Sequence, residues 1–376
     1  MRSTSYIRMP YNEPWVREER EPVPPDDNLV EFFHLLEPER NPILRLYRLD
    51  RCPASAAWDS TLFYDWGVNH QTALVACGIL ANNRWDGYFL SGRDRTRIGE
   101  HEELLTERRY IFVVPGVDNY PIVPDFRSWK FPHENLPPLW KFVIYSTRGK
   151  DLQDRPLCGS ACNVTNAHCA LQHSHIIPTR QHSWYVINHM ARVQESTSQR
   201  MDIPANLLTL RTDIHQLLDD NRLCIVPKAA LYPADKLPWY WNFGAPKNVN
   251  LVLYVLRPDD RIHSQLYKQY HNVSLQKLVD VSPEYLFAAF AEKIFTRSSY
   301  FQPDNFPRQA VKLELLETGP RYLAYLRIDS ADRSSRKRTR FDVEADEADE
   351  ADEADEADEA NEADDEADEA NEGGNN

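Results

Sequence analysis

An α+β fold is what this sequence predicts, on three observations. The chain has 376 residues, enough at ~150 per domain for two or three folded units, and 42% hydrophobic with 11% aromatic residues can fill their cores. Strand-like apolar runs occur at Tyr110–Val114, Leu171–Ile177, Leu223–Val226 and Leu251–Leu256. Helical spacing occurs over Thr72–Leu80, at Leu207, Leu210, Ile214 and Leu217, and at Leu286, Phe290 and Ile294.

In chain order, residues 1–27 carry charges with Pro22, Pro24 and Pro25 but little apolar periodicity. They cannot offset the entropy of ordering, so a flexible N-terminus is expected. A mixed α+β unit then spans 28–150, with a helix at Thr72–Leu80 and strand-like runs at Tyr110–Val114 and Phe142–Tyr145 between Pro-rich loops. Residues 155–230 hold six of the twelve histidines. There Leu171–Ile177 reads as a strand closed by Pro178, Leu207 to Leu217 as a helix, and Leu223–Val226 as a second strand. The expected order is strand, long insertion, helix, strand. A C-terminal accessory segment over 231–328 has the β-like run Leu251–Leu256 and a helix with Ser282 as cap and Pro283 in its first turn. Residues 329–376 read as a disordered tail, a basic cluster at Arg333–Arg340 followed by an Ala-Asp-Glu repeat from Ala345 whose like charges repel.

That tail accounts for the formal net charge of -15. Residues 342–376 hold 19 Asp or Glu and no Lys or Arg, leaving 39 acidic against 43 basic residues in 1–341, a body of +4. The six cysteines, Cys52, Cys77, Cys158, Cys162, Cys169 and Cys224, lack the density of a secreted disulfide framework. Met1–Ile7 has no apolar run of a signal peptide, and the most apolar stretch, Thr72–Ala81, falls far short of the ~20 residues of a membrane span. An intracellular, soluble protein without a membrane partner is expected. Cys158, Cys162 and Cys169, with His168 nearby, lack the paired CxxC spacing of zinc sites, so they read as buried thiols and not as a zinc finger.

The residues that carry chemistry gather in the histidine-rich segment: His175 after a strand, then Asn206, His215 nine residues later, and Asp219 four residues after that. Phosphodiester hydrolysis at a single metal ion needs a base for water, a cation for the charge on phosphate and leaving oxygen, and a group that fixes the base. Histidine changes charge near neutral pH, so its neutral form is available to take a proton. This suits His175 to the base role and His215 to holding the cation. Nine residues at ~100° each make two and a half helical turns, so Asn206 and His215 share a site only if Asn206 sits in the loop or cap before the helix. His215 and Asp219, spaced i, i+4, lie on one helical face. They either hold one ion together, the reading taken here, or the carboxylate orients the imidazole.

The residues that resemble a known family are Cys162-Asn-Val-Thr165, Ser174-His-Ile-Ile-Pro178, Trp184 with Asn188 and Met190, Asn206-Leu-Leu-Thr-Leu-Arg-Thr-Asp-Ile-His215, Leu218-Asp219 and Ile225-Val-Pro-Lys228. Ser282-Pro-Glu-Tyr-Leu-Phe-Ala-Ala-Phe-Ala291, with Ile294 and Phe295, extends the likeness. Together they resemble the HNH endonucleases of the ββα-metal fold, in particular fungal proteins carrying such a domain, over about residues 158–300. The resemblance implies a ββα-metal centre in which His175 is the general base, Asn206 the middle Asn that orients the base or touches the metal, and His215 the metal-binding third residue. Many such enzymes place Asp, Glu or His directly before the base, where this chain has Ser174.

The expectation is therefore a metal-dependent HNH-type endonuclease using Mg, Mn or Zn, acting on nucleic acid, DNA ahead of RNA, with His175 activating water, Asn206 orienting it and His215 with Asp219 holding the ion. The alternative, which Ser174 favours, is a catalytically inactive HNH-like module that binds nucleic acid or protein. Arg180, Arg192, Arg200, Arg211, Arg222 and Lys228 are candidate phosphate contacts or, equally, solubilising charges. Arg333–Arg340 reads as a nuclear-import signal, a nucleic-acid contact or a solvated linker, for a nuclear or otherwise cytoplasmic location, and the acidic tail as a site for basic proteins, a segment folding back over a cationic groove, or a solubilising appendage. No oligomeric state is assigned.

Overall fold

The computed structural model describes residues 29–53, 64–99, 102–147, 160–194, 199–229, 249–257, 263–276, 278, 281–301, 308–316 and 319–328. The expected flexible N-terminus, the basic cluster, the acidic tail and Cys158 lie outside the described residues.

The architecture is mixed α+β with several small sheets. Its elements begin β1 (Leu29–His34), β2 (Leu44–Tyr47), β3 (Asp50–Pro53), β4 (Tyr64–Asn69), α1 (His70–Leu80), β5 (Tyr88–Ser91), β6 (Leu104–Leu105), β7 (Arg109–Val113) and α2 (Pro138–Thr147). They continue β8 (Leu171–His175), α3 (His182–Ile187), β9 (Leu207–Arg211), α4 (Thr212–Asp219), β10 (Leu223–Ala229), β11 (Val249–Val255), α5 (His263–Tyr270), β12 (Val273–Ser274), α6 (Pro283–Phe295), β13 (Arg308–Leu316) and β14 (Gly319–Ile328). One sheet has the order β2-β1-β7-β5, in which β1 and β7 run parallel. The sheets β3-β4-β6, β8-β9, β10-β11-β12 and β13-β14 are antiparallel.

The two long buried helices start where the sequence signals them. Asn69 Oδ1 accepts the Thr72 N–H at 3.0 Å to open α1, and Ser282 Oγ accepts the Tyr285 N–H at 3.3 Å to open α6, with Pro283 in its first turn. Almost every residue of α6 is buried, Glu284, Glu292 and Lys293 among them, and it packs against α1, α2 and β10.

Two readings of the sequence need correction. Phe142–Tyr145 lies inside α2: Lys141 N donates to Pro137 O at 3.0 Å, and Trp140 and Val143, three residues apart, are the buried pair, so helical periodicity prevails over the local apolar run. The expected helix from Leu207 to Leu217 is a strand followed by a helix. Leu207 and Leu210 fit the helical spacing and Leu208 and Leu210 a period of two, and five-residue pairing of β9 with β8 decides for the strand; the helix begins at Thr212. The observed order is thus strand, insertion, strand, helix, strand.

A single hydrophobic cluster runs from Val30 to Val311. Its aromatic centre joins α3 and α6 to residues ahead of β8. Trp129 and Trp184 stack with rings 5.8 Å apart, Trp184 Nε1 donates to Trp129 O at 2.8 Å, and Phe287 of α6 meets Trp129, Phe131 and Trp140 edge-on or tilted. Such ring pairs contribute about 0.5–1.5 kcal/mol each beyond area burial. A buried polar joint does the same between sheets. Lys228 Nζ of β10 donates to Asp50 of β3 and, at 2.6 Å, to Asn272 Oδ1 beside β12; Asn272 Nδ2 donates to Asp50 at 2.8 Å.

Candidate functional site

Antiparallel pairing of β8 with β9 sets Ser174 opposite Leu208 and His175 opposite Leu207, and α4 packs across both strands. The alternation of β8 puts Gln172 and Ser174 on the face toward α4, where Ser174 is buried and Gln172 reaches the helix, and His173 on the other. His175, at the strand's end, lines the same cleft as Ser174. On α4, Ile214 and Leu218 anchor the helix in the core and leave His215 and Asp219 half-exposed on its flank.

His175 ends β8 with its ring held by a residue that the sequence reading missed. Nε2 lies 2.6 Å from Oδ1 of Asp202, an exposed carboxylate 27 positions away. A carboxylate only accepts, so Nε2 carries the hydrogen, and in the neutral tautomer Nδ1 keeps its lone pair. Spacing alone could not pair the two; the one signal was an acidic residue shortly before Asn206. Replacing Asp202 by Ala is expected to lower the rate of His175-dependent chemistry about 10–100-fold, the usual consequence of removing a carboxylate that orients a functional histidine. Because Asp202 is exposed, its urea-unfolding midpoint should stay put, and a shift in that midpoint together with an unchanged rate would remove the orienting role.

Asn206 is fully buried in the turn just before β9. Its Oδ1 accepts the Ile177 N–H at 2.9 Å, and its Nδ2 donates to Ile177 O at 3.1 Å and Met201 O at 3.2 Å. The amide thus ties the backbone two residues after His175 to the backbone one residue before Asp202. It holds together the backbone beside His175 and beside Asp202, and every amide group is committed to main chain. Asn206→Ala would take these bonds from the buried N–H and C=O of Ile177, at about 1–3 kcal/mol each, while Met201 O keeps the Ile203 N–H at 2.9 Å. We expect a loss of about 2–4 kcal/mol in unfolding free energy by urea titration; a loss below 1 kcal/mol would show that the loop holds itself.

His215 is gripped on both sides. Nδ1 lies 3.0 Å from Gln172 Oε1, and Nε2 lies 3.2 Å from Oδ2 of Asp219, one turn further along α4. A neutral ring that gives its Nδ1 hydrogen to Gln172 would turn a lone pair toward the carboxylate oxygen, an arrangement that a shared cation would satisfy. Among the described residues no group of three or more His, Cys, Asp or Glu side chains is placed to hold a metal ion. One imidazole and one carboxylate still fit a hydrated Mg²⁺ or Mn²⁺, which takes few protein ligands and keeps several waters; a zinc site asks for three or four.

A cleft of about 410 Å³, counted with its open mouth, brings part of this set together. Ser174 and His175 line it from β8, Asp219 from the end of α4, and Leu286, Phe290 and Lys293 from α6. His215 is joined to it through Asp219, and Asn206 is not part of its lining. Of the candidate phosphate contacts, Lys228 is excluded by its burial against Asp50, while Arg180 pairs with Glu292 at 3.1 Å and Arg211 with Asp213.

Residues 156–226 match the HNH_2 family model, described as HNH endonuclease. The chain thus carries an HNH endonuclease family segment, one that takes in β8, β9, α4 and the first part of β10. The likeness read over Ser282 to Phe295 falls beyond it. No curated protein and no solved structure matches the chain. Among the described residues no helix is long and apolar enough to cross a membrane.

Proposed function

We propose that this chain is a metal-dependent HNH-type endonuclease that hydrolyses nucleic-acid phosphodiester bonds, DNA ahead of RNA, with β8, β9 and α4 as its ββα-metal centre. The observation that carries the reading is the His175–Asp202 pair at 2.6 Å, at the rim of a cleft that Asp219 also lines. The family match over 156–226 supports the same reaction class.

In this reading Nδ1 of His175 takes the proton of the attacking water, and the Asp202 carboxylate stabilises the imidazolium that forms. Asn206 keeps the two backbones that carry them in register, which replaces the water-orienting role expected for it. His215 and Asp219 would hold the divalent cation, which when bound would supply positive charge to the phosphate and the leaving oxygen. Ser174, buried between β8 and α4, adds no charge, so two side chains carry that ligand role.

The test is supercoiled plasmid incubated with the full chain in Mg²⁺, Mn²⁺ or Zn²⁺, with an EDTA control. Nicking in Mg²⁺ or Mn²⁺ that EDTA abolishes is expected. No cutting with any of the three would leave the inactive binding module that Ser174 favours.

A further inference from the structure

Lys293 sits on α6, well beyond the end of the HNH match, yet its side chain reaches the same cleft as His175 and Asp219. Leu286, Ala289, Phe290 and Lys293 follow the i, i+3, i+4, i+7 stripe of a helix, so one face of α6 forms the cleft's far wall and Lys293 is its only charge. The residue is 5% exposed. Its ammonium has three hydrogens to donate, and among the described residues its one hydrogen-bond acceptor is Leu218 O, at 2.9 Å, the carbonyl next to Asp219. The neighbouring Glu292 turns away to Arg180 and Gln181, at 3.1 and 2.9 Å. Burial draws the Lys293 ammonium below its ordinary pKa, with Glu292, Cys224 and Asp219 pulling the other way.

A helix-capping lysine would account for the bond to Leu218 O but not for the setting. Buried ammonium groups are costly unless their hydrogens find acceptors, and the direction left open for Lys293 is the cleft. The group that suits a cation there is a single anionic oxygen.

We propose that Lys293 is a phosphate-binding residue of the cleft, donating to a non-bridging oxygen of the nucleic-acid backbone beside His175. This rests on the nuclease reading and adds to it a protein-borne positive charge, in a cleft to which Ser174 brings none.

The test is binding of inorganic phosphate by the full chain stripped of metal with EDTA, followed by NMR of lysine labelled with ¹³C at Cε. Phosphate is expected to move the Lys293 signal of the wild type. Lys293→Met should weaken phosphate binding about tenfold or more, as the loss of a charge-assisted hydrogen bond implies, and Lys293→Arg should retain most of it. A Lys293 signal that phosphate leaves unmoved overturns the inference, even if Lys293→Met fails to fold, and so does a well-folded Lys293→Met that binds phosphate as the wild type does. The binding readout requires no turnover. Nicking with an unmoved Lys293 sinks this inference alone, and a phosphate-responsive Lys293 in a chain that cuts nothing sinks the nuclease reading alone.

Discussion

His175→Ala is expected to lower kcat/KM for plasmid nicking by about 10²–10⁴, the usual contribution of a positioned general base. The loss should fall on kcat, because the ring acts on the attacking water and contributes little to holding substrate. The fold should tolerate the change: His175 is partly exposed at the end of β8, and the backbone after it is pinned by Asn206 through Ile177. Full nicking activity in a well-folded His175→Ala protein would assign the base elsewhere. Comparison with Asp202→Ala sharpens the result, since removing the carboxylate in a His175→Ala background should add almost nothing if the two act as one unit.

Lys228→Met should be the most damaging single change to stability, costing about 3–5 kcal/mol. The substitution fits the space but strands the Asp50 carboxylate, which is fully buried. In the native protein the anion also receives Asn69 N at 2.8 Å, Asn272 Nδ2 at 2.8 Å and His271 Nε2 at 3.3 Å. Burial works to raise the Asp50 pKa, yet the Lys228 ammonium and His271 hold it well below the ordinary carboxylate range. A depressed native value means that the pair's contribution is complete above the unfolded carboxyl pKa of ~3.9 and fades as pH falls below it. Urea unfolding at neutral pH should show the full deficit, and the gap between variant and wild type should narrow in acid. A deficit under about 1 kcal/mol, or one that grows in acid, would remove the joint from its place in holding the sheets together. Adding Asp50→Asn to Lys228→Met should restore part of the loss.

What the sequence made legible follows from how local the cause is. The helix over Thr72–Leu80 and the Ser282-capped helix are fixed by caps and by apolar residues within a dozen positions, and both stand within two residues of the expected bounds. The strand at Leu207–Arg211 was hidden because its leucines satisfy two periods at once, and only the partner strand 30-odd residues upstream chooses between them. The i, i+4 relation of His215 to Asp219 was readable from helix geometry alone. Asp202, Gln172 and Lys293 were not, since each meets its partner across the fold: a loop against a strand end, a strand against a helix, a late helix against an early one. Asn206 drew notice as a polar residue of the right kind, but its bonds are all to main chain, which residue type does not disclose.

The recognised segment stops at residue 226, in the middle of β10, whose remaining length continues its ladder with β11 as far as Ala229. Borrowed as a cassette and grafted onto another carrier, it would bring along the imidazole and its carboxylates yet leave behind the roof over them, together with a raw strand edge open to self-association. The smallest portable version of this centre has to include α6, so any chimera or truncation series should be cut on the far side of Phe295.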